Sequence, residues 1–140
     1  MKKTIFATLL LIASLKAFCG VVDHDLMYQA YLDNNMNVWK TELQKYTSIA
    51  DLTTTDKLEI SNYLYGYIAT LLIDADNNKQ EITDWIELWE QYLNDIEKNT
   101  GKNAYVYVYR SSINAYKSKV KAGGMIVWGP RSLTELKRAL

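Results

Sequence analysis

The chain contains one histidine, His24, and one cysteine, Cys19. Neither a Ser-His-Asp nor a Cys-His constellation can be assembled convincingly from so few groups. The Cys and His spacings of the common zinc sites are absent. Asp74-Ala75-Asp76-Asn77-Asn78 has the acidic opening of a calcium loop but lacks its glycine turn. The twelfth place, where a bidentate Glu should close the loop, is Trp85. Gly123-Gly124 is not followed by the Lys-Ser/Thr of a phosphate loop. Glu87 and Glu90 fall on the polar side of a helix, where solvation is expected rather than a glycosidase pair. What remains is a set suited to binding: Tyr105, Tyr109, Arg110, Tyr116, Lys117 and Arg131, with Lys119 and Lys121 adding charge. Such rings offer apolar area with a polar tip, and the cations attract anions. The reading is a non-enzyme with no catalytic residues, no cofactor and no metal.

These residues must be positioned by helices. Thr54 to Lys98 reads as an antiparallel helical hairpin of 45 residues, broken at the polar run Asp74 to Lys79. In its first arm Ile60, Tyr63, Leu64, Tyr67, Ile68, Leu71, Leu72 and Ala75 recur at three- and four-residue steps. In its second arm Ile82, Trp85, Ile86, Trp89, Tyr92, Leu93 and Ile96 do the same. Asp56 and Glu59 stand at capping-box spacing at its start. Upstream, within Val21 to Asp33, Asp23 or Asp25 can cap a helix carrying Leu26, Met27, Ala30 and Tyr31, Asn34-Asn35 break it, and a second helix runs from about Met36 to Tyr46. Downstream, Asn99-Thr100-Gly101 stops the hairpin, and Asn103 can cap a fifth helix to about Lys119. Tyr105-Val106-Tyr107-Val108-Tyr109 favours a strand on propensity. Helical spacing of Tyr105, Val108, Tyr109, Ser112, Ile113, Tyr116 and Val120, and the lack of a partner strand, favour helix.

The tail is expected to change character. After Ala122-Gly123-Gly124 the apolar run Met125 to Trp128 is read as non-helical, lying across the stack, with Gly129-Pro130 forcing a turn. Ser132 and Glu135 then make a capping box for a short terminal helix whose Leu133, Leu136 and Leu140 face inward. On this reading Arg131 reaches back to an acidic helix face; the other reading makes it a ligand contact.

Met1-Lys2-Lys3 followed by the apolar run Thr4 to Leu15 resembles a signal peptide. A membrane-spanning helix needs about 20 residues, so the run is too short for one. Small residues at Ala17 and Cys19 place cleavage after Cys19, giving a signal peptide at 1–19 and one helical domain at 20–140. The alternative is a lipoprotein modified at Cys19, although Lys16 and Phe18 occupy places where an aliphatic and a small residue are wanted. The mature chain then has no cysteine, so packing rather than disulfides must stabilise it. Its charge is segregated: residues 20–98 carry five Lys against 15 acids, a net of −10, and 99–140 carry eight cations against Glu135, a net of +7. Solvated faces that happen to differ, a basic segment laid on acidic helix faces, or a basic patch offered to an anionic partner would account for this.

The alternating helices, the Tyr63-Leu64-Tyr65-Gly66-Tyr67 sequence and the positions Ile82, Ile86 and Trp89 resemble a degenerate tetratricopeptide (TPR-like) repeat over about a third of the mature chain. There Gly66 would lie where the first helix of the repeat approaches its partner. The whole chain is similar to a group of small exported proteins of Bacteroidetes-type bacteria in Ala17-Phe18-Cys19, Ala30 to Asn35 with Trp39-Lys40, Tyr63 to Ile68, and Gly129 to Ser132. The resemblance implies an all-α fold, antiparallel αα-hairpins stacked as a short TPR-like array of about five helices plus a short C-terminal capping helix. It implies export to the periplasm or cell exterior, and no particular activity. The functional expectation is a scaffold whose curved helical face binds a protein or peptide. The alternative is an anionic ligand, a lipid head group or acidic polysaccharide, held by the basic C-terminal region. Neither nucleic acid nor a membrane span after signal cleavage is expected.

Overall fold

In the computed structural model, which describes residues 20–140, side-chain caps mark where the helices begin. The expected signal peptide, with its cleavage or lipidation at Cys19, lies outside the described residues. Asp23 accepts from the Leu26 N–H to open α1 (His24–Leu32), and Asn35 accepts from Val38 to open α2 (Met36–Thr47). Between them Asn34 takes φ 51°, a left-handed conformation that asparagine tolerates better than most residues. α3 (Thr54–Leu71) opens on a capping box between Thr53 and Asp56. The expected box of Asp56 with Glu59 is thereby corrected, because Asp56 turns back to the Thr53 backbone and hydroxyl. Asn103 caps α5 (Ala104–Val120), as expected, through the Tyr105 N–H.

The hairpin break sits earlier than its polar composition suggests. A single 3-10 turn, Leu72–Asp74, joins α3 to α4 (Ala75–Thr100), and the residues expected to be a loop form the first turn of α4. The Asn78 side chain donates to the carbonyls of Leu71 (3.3 Å) and Asp74 (2.9 Å), so polar residues here satisfy open helix ends instead of breaking the chain. α4 stops at Gly101, whose φ of 72° suits glycine.

Each helix packs on the next in chain order, α3 also touching α5, so among the described residues α1 and α6 (Gly124–Ala139) are the outermost elements of an all-helical stack. The expected stripe of α4 is buried in full, from Ile82 to Ile96. In α3 Ile60, Leu64, Tyr67 and Ile68 are buried, and Trp39, Leu43 and Tyr46 of α2 meet them in one core. At Gly66 an added Cβ would lie 3.2 Å from the Trp39 ring, so the small residue permits the close approach of α3 to α2.

Tyr105 to Tyr109 is helical, and its buried face is rotated from the expected one. Val106 and Tyr107 are buried while Tyr105 and Val108 are exposed. α5 lies between α4 and α6 and must bury residues on two sides, which blurs a single-stripe reading.

The tail departs furthest from expectation. α6 is one helix containing Met125 to Trp128 and, in its interior, Pro130. Gly123, at φ 87°, turns the chain back along α5, which offers a packing surface over the length of α6. Against that surface the proline forfeits one backbone hydrogen bond without ending the helix. Ser132 caps nothing: its hydroxyl donates to the Ser111 carbonyl at 2.8 Å and lies 3.0 Å from the Ser111 hydroxyl. Glu135 pairs with Arg138 at 3.0 Å. Leu133, Leu136 and Leu140 do not face inward; they are 55%, 42% and 102% exposed, and α6 has no buried residue.

Candidate functional site

The segregated charge is spent largely between α4 and α5. Arg110 pairs with Glu97 at 2.7 Å and donates to Asn94 at 2.8 Å, Lys117 pairs with Glu90 at 2.6 Å, and Lys121 lies 3.7 Å from Glu87. These partners lie on the polar side of the α4 stripe, where helical periodicity aligns them with the cations of the neighbouring helix. The basic segment is thus laid on acidic helix faces, as one of the sequence readings had it. Lys117 is nearly covered, and its ammonium also sits 5.0 Å from the centre of the Trp128 ring. Arg131 does not reach an acidic face. Its guanidinium lies 4.7 Å from the same ring, a cation–π contact, while the residue stays exposed.

The six candidate partner-binding residues do not share one groove. Arg110, Lys117 and Arg131 border a charged hollow of about 560 Å³ with Trp128, Glu90 and Glu135. Tyr105 and Tyr109 edge a smaller hollow of about 250 Å³ with His24, Glu59 and Tyr63. There the His24 Nδ1 and Tyr63 hydroxyl are 2.6 Å apart. Tyr116 lines a third depression of about 750 Å³ between α5 and α6, whose other walls include Leu72, Met125, Gly129, Leu133 and Leu136.

Of the three candidate tyrosines, Tyr105 is exposed while Tyr109 and Tyr116 are half-buried. Tyr109 tilts against Trp89 at 5.4 Å, and Tyr116 stacks on Tyr65 at 5.9 Å while its hydroxyl donates to the Tyr65 carbonyl. Burial pushes both phenols above their ordinary range, so they remain neutral rings with a polar tip. Tyr109 and Tyr116, two of the expected partner-binding residues, are thus largely taken up by packing. Trp89, fully buried, needs those rings as its packing partners.

Two features escaped the sequence reading. The first is the apolar stripe of α6, Met125, Ile126, Leu133 and Leu136, which is exposed although α6 packs on α5. Its recurrence at one-, seven- and three-residue steps is a helical signal that the turn expected at Gly129-Pro130 masks. The second is Glu81, whose carboxylate accepts from Lys40 (2.9 Å), Tyr67 (2.8 Å) and Trp85 (3.3 Å), joining α2, α3 and α4. Burial alone would raise the Glu81 pKa, but these donors outweigh it and hold the carboxyl below its usual value. No pattern in the sequence pairs positions 40, 67 and 81.

Among the described residues no group of His, Cys, Asp and Glu is arranged to hold a metal ion, and no helix is long and apolar enough to cross a membrane. The surface features are an apolar depression, a charged hollow that shares Pro130 with it, and an aromatic edge. No protein-family model, curated protein or solved structure matches the chain.

Proposed function

We propose that this chain is an exported, non-catalytic interaction protein whose TPR-like stack of helices holds a protein segment in the depression between α5 and α6. One observation carries this reading: α6 presents Met125, Ile126, Leu133 and Leu136 to solvent. Contiguous exposed apolar area of this kind marks a surface built to be covered, and an amphipathic helix in a groove is a standard way to cover it. The alternative, an anionic head group or acidic polysaccharide, has fewer free cations at its disposal. Arg110, Lys117 and Lys121 are already engaged by α4 carboxylates and Arg138 by Glu135, leaving Lys102, Lys119, Arg131 and Lys137.

A photo-cross-linking amino acid at Leu133, in the producing cell, tests the assignment. The expected result is a discrete protein adduct that disappears when Leu136→Asp is added, with none from the same group placed at Lys98. Equal labelling from both positions would refute the groove. For the alternative, binding to anionic vesicles that collapses as salt rises past the point where the screening length is about 8–10 Å would favour the head-group reading.

A further inference from the structure

We infer that the partner of α6 is the α1 face of a second copy of this chain, so that molecules associate head to tail; this rests on the groove reading above and names its occupant. A stack of helices ordinarily ends in polar outer faces, because an apolar terminal face has no neighbour to cover it. Here both terminal helices break that rule. α1 exposes Tyr28 (64%), Leu32 (56%) and, at its edges, Tyr31 (61%) and Leu26 (39%). α6 exposes Ile126 (89%), Met125 (64%) and Leu133 (55%). α1 packs mainly on α2, with His24 also reaching Tyr63 of α3, and α6 packs on α5, so the two exposed faces belong to the first and last helices of the described stack.

Their charges are complementary. Residues 20–35 contain Asp23, Asp25 and Asp33 with no Lys or Arg, a net of −3. With Lys121 engaged by Glu87, residues 119–140 keep Lys119, Arg131, Lys137 and Arg138 against Glu135, a net of +3. Apolar-acidic therefore meets apolar-basic when α1 of one copy lies on α6 of the next. Pairing two α6 faces would oppose like charges, which costs specificity and affinity. An anionic surface would satisfy α6 and leave α1 uncovered. A head-to-tail contact is heterologous, and it propagates into a ring or an open chain depending on the rotation between copies.

The test uses sedimentation of the purified protein over a concentration series, with two face variants. Asp25→Lys with Asp33→Lys reverses the α1 face, and Ile126→Asp with Leu133→Asp spoils the α6 face. All four positions are exposed, so folding should survive, and circular dichroism checks it. Should the α6 pair unfold, Ile126→Asp with Lys137→Glu replaces it. The expected result is that wild type grows in mass with concentration, that each variant alone stays monomeric, and that an equal mixture gives one species of twice the monomer mass. That last outcome is unique to a contact between two different faces, since each variant keeps one of them intact. Dimerisation of the α1-face variant alone would overturn the inference in favour of α6 on α6. A wild type that stays monomeric throughout would overturn self-association. It would not touch the groove reading, which the cross-link from Leu133 decides separately.

Discussion

Glu81 offers the sharpest quantitative test of how the stack is held together. Its carboxylate accepts three hydrogen bonds from three helices, and Tyr67, the closest donor, is 3% exposed. In Glu81→Gln the amide oxygen can still accept from Tyr67 and Trp85, so shape is preserved and only the charge is lost. Hydrogen bonds to a charged group contribute about 1.5–3 kcal/mol and neutral ones about 0.5–1.5 kcal/mol. The Tyr67 bond should therefore weaken by about 1 kcal/mol. The Trp85 bond, longer at 3.3 Å, adds a few tenths, and the half-exposed Lys40 pair adds at most about 1 kcal/mol. The expected loss is about 2 kcal/mol near pH 7, read as a lower urea midpoint at unchanged slope. A pH series adds an independent check. The folded-state pKa of Glu81 lies below its ordinary value of 4.5, so its contribution is present above that value and disappears as pH falls through the folded pKa. The gap between wild type and Glu81→Gln should accordingly shrink towards zero on acidification. A gap under about 0.5 kcal/mol near neutrality, or one that does not change with pH, would refute the account of Glu81 as a charged joint.

Other expectations concern single positions. Ser132→Ala should cost about 1 kcal/mol through the lost bond to the Ser111 carbonyl. Ser111→Ala removes only the hydroxyl contact and keeps the carbonyl that Ser132 donates to, so it should cost less than Ser132→Ala; an equal or larger loss would refute the carbonyl bond as the tie between α5 and α6. Thr53→Ala should lower stability by about 1 kcal/mol by opening the α3 capping box, measured by denaturant titration. Gly66→Ala should destabilise by about 1 kcal/mol despite the better helix propensity of alanine, because the new Cβ meets a Trp39 ring held edge-on by Tyr31 and Tyr63. A raised melting temperature would show that Trp39 can yield. Burial, above all, pushes the Tyr46 phenol up to about 12. Its stabilisation is complete below the ordinary value of 10.0 and is lost as pH rises through the folded value, so Tyr46→Phe should show a shallower alkaline decline.

The sequence by itself determined the helical class, the break at Asn34-Asn35, the buried stripe of α4 and the stop at Gly101, and it narrowed the start of α1 to Asp23 or Asp25. Each is a local or periodic signal: a capping side chain, a residue that tolerates positive φ, or apolar recurrence at 3.6 residues. Tyr105 to Tyr109 became helix because periodicity over the whole segment outweighs the strand propensity of five residues. What only the tertiary structure decided concerns surfaces made of several helices. Whether Arg110 and Lys117 face solvent or the carboxylates of Glu97 and Glu90 depends on how α5 lies on α4. The joining of Lys40, Tyr67 and Glu81 depends on three helices at once. Pro130 and the Ser132–Glu135 spacing are local stop and start signals, yet the flank of α5 carries α6 straight through both. The energy of laying a 16-residue helix on a neighbour exceeds that of one missing backbone hydrogen bond, and it is invisible until the neighbour is in place.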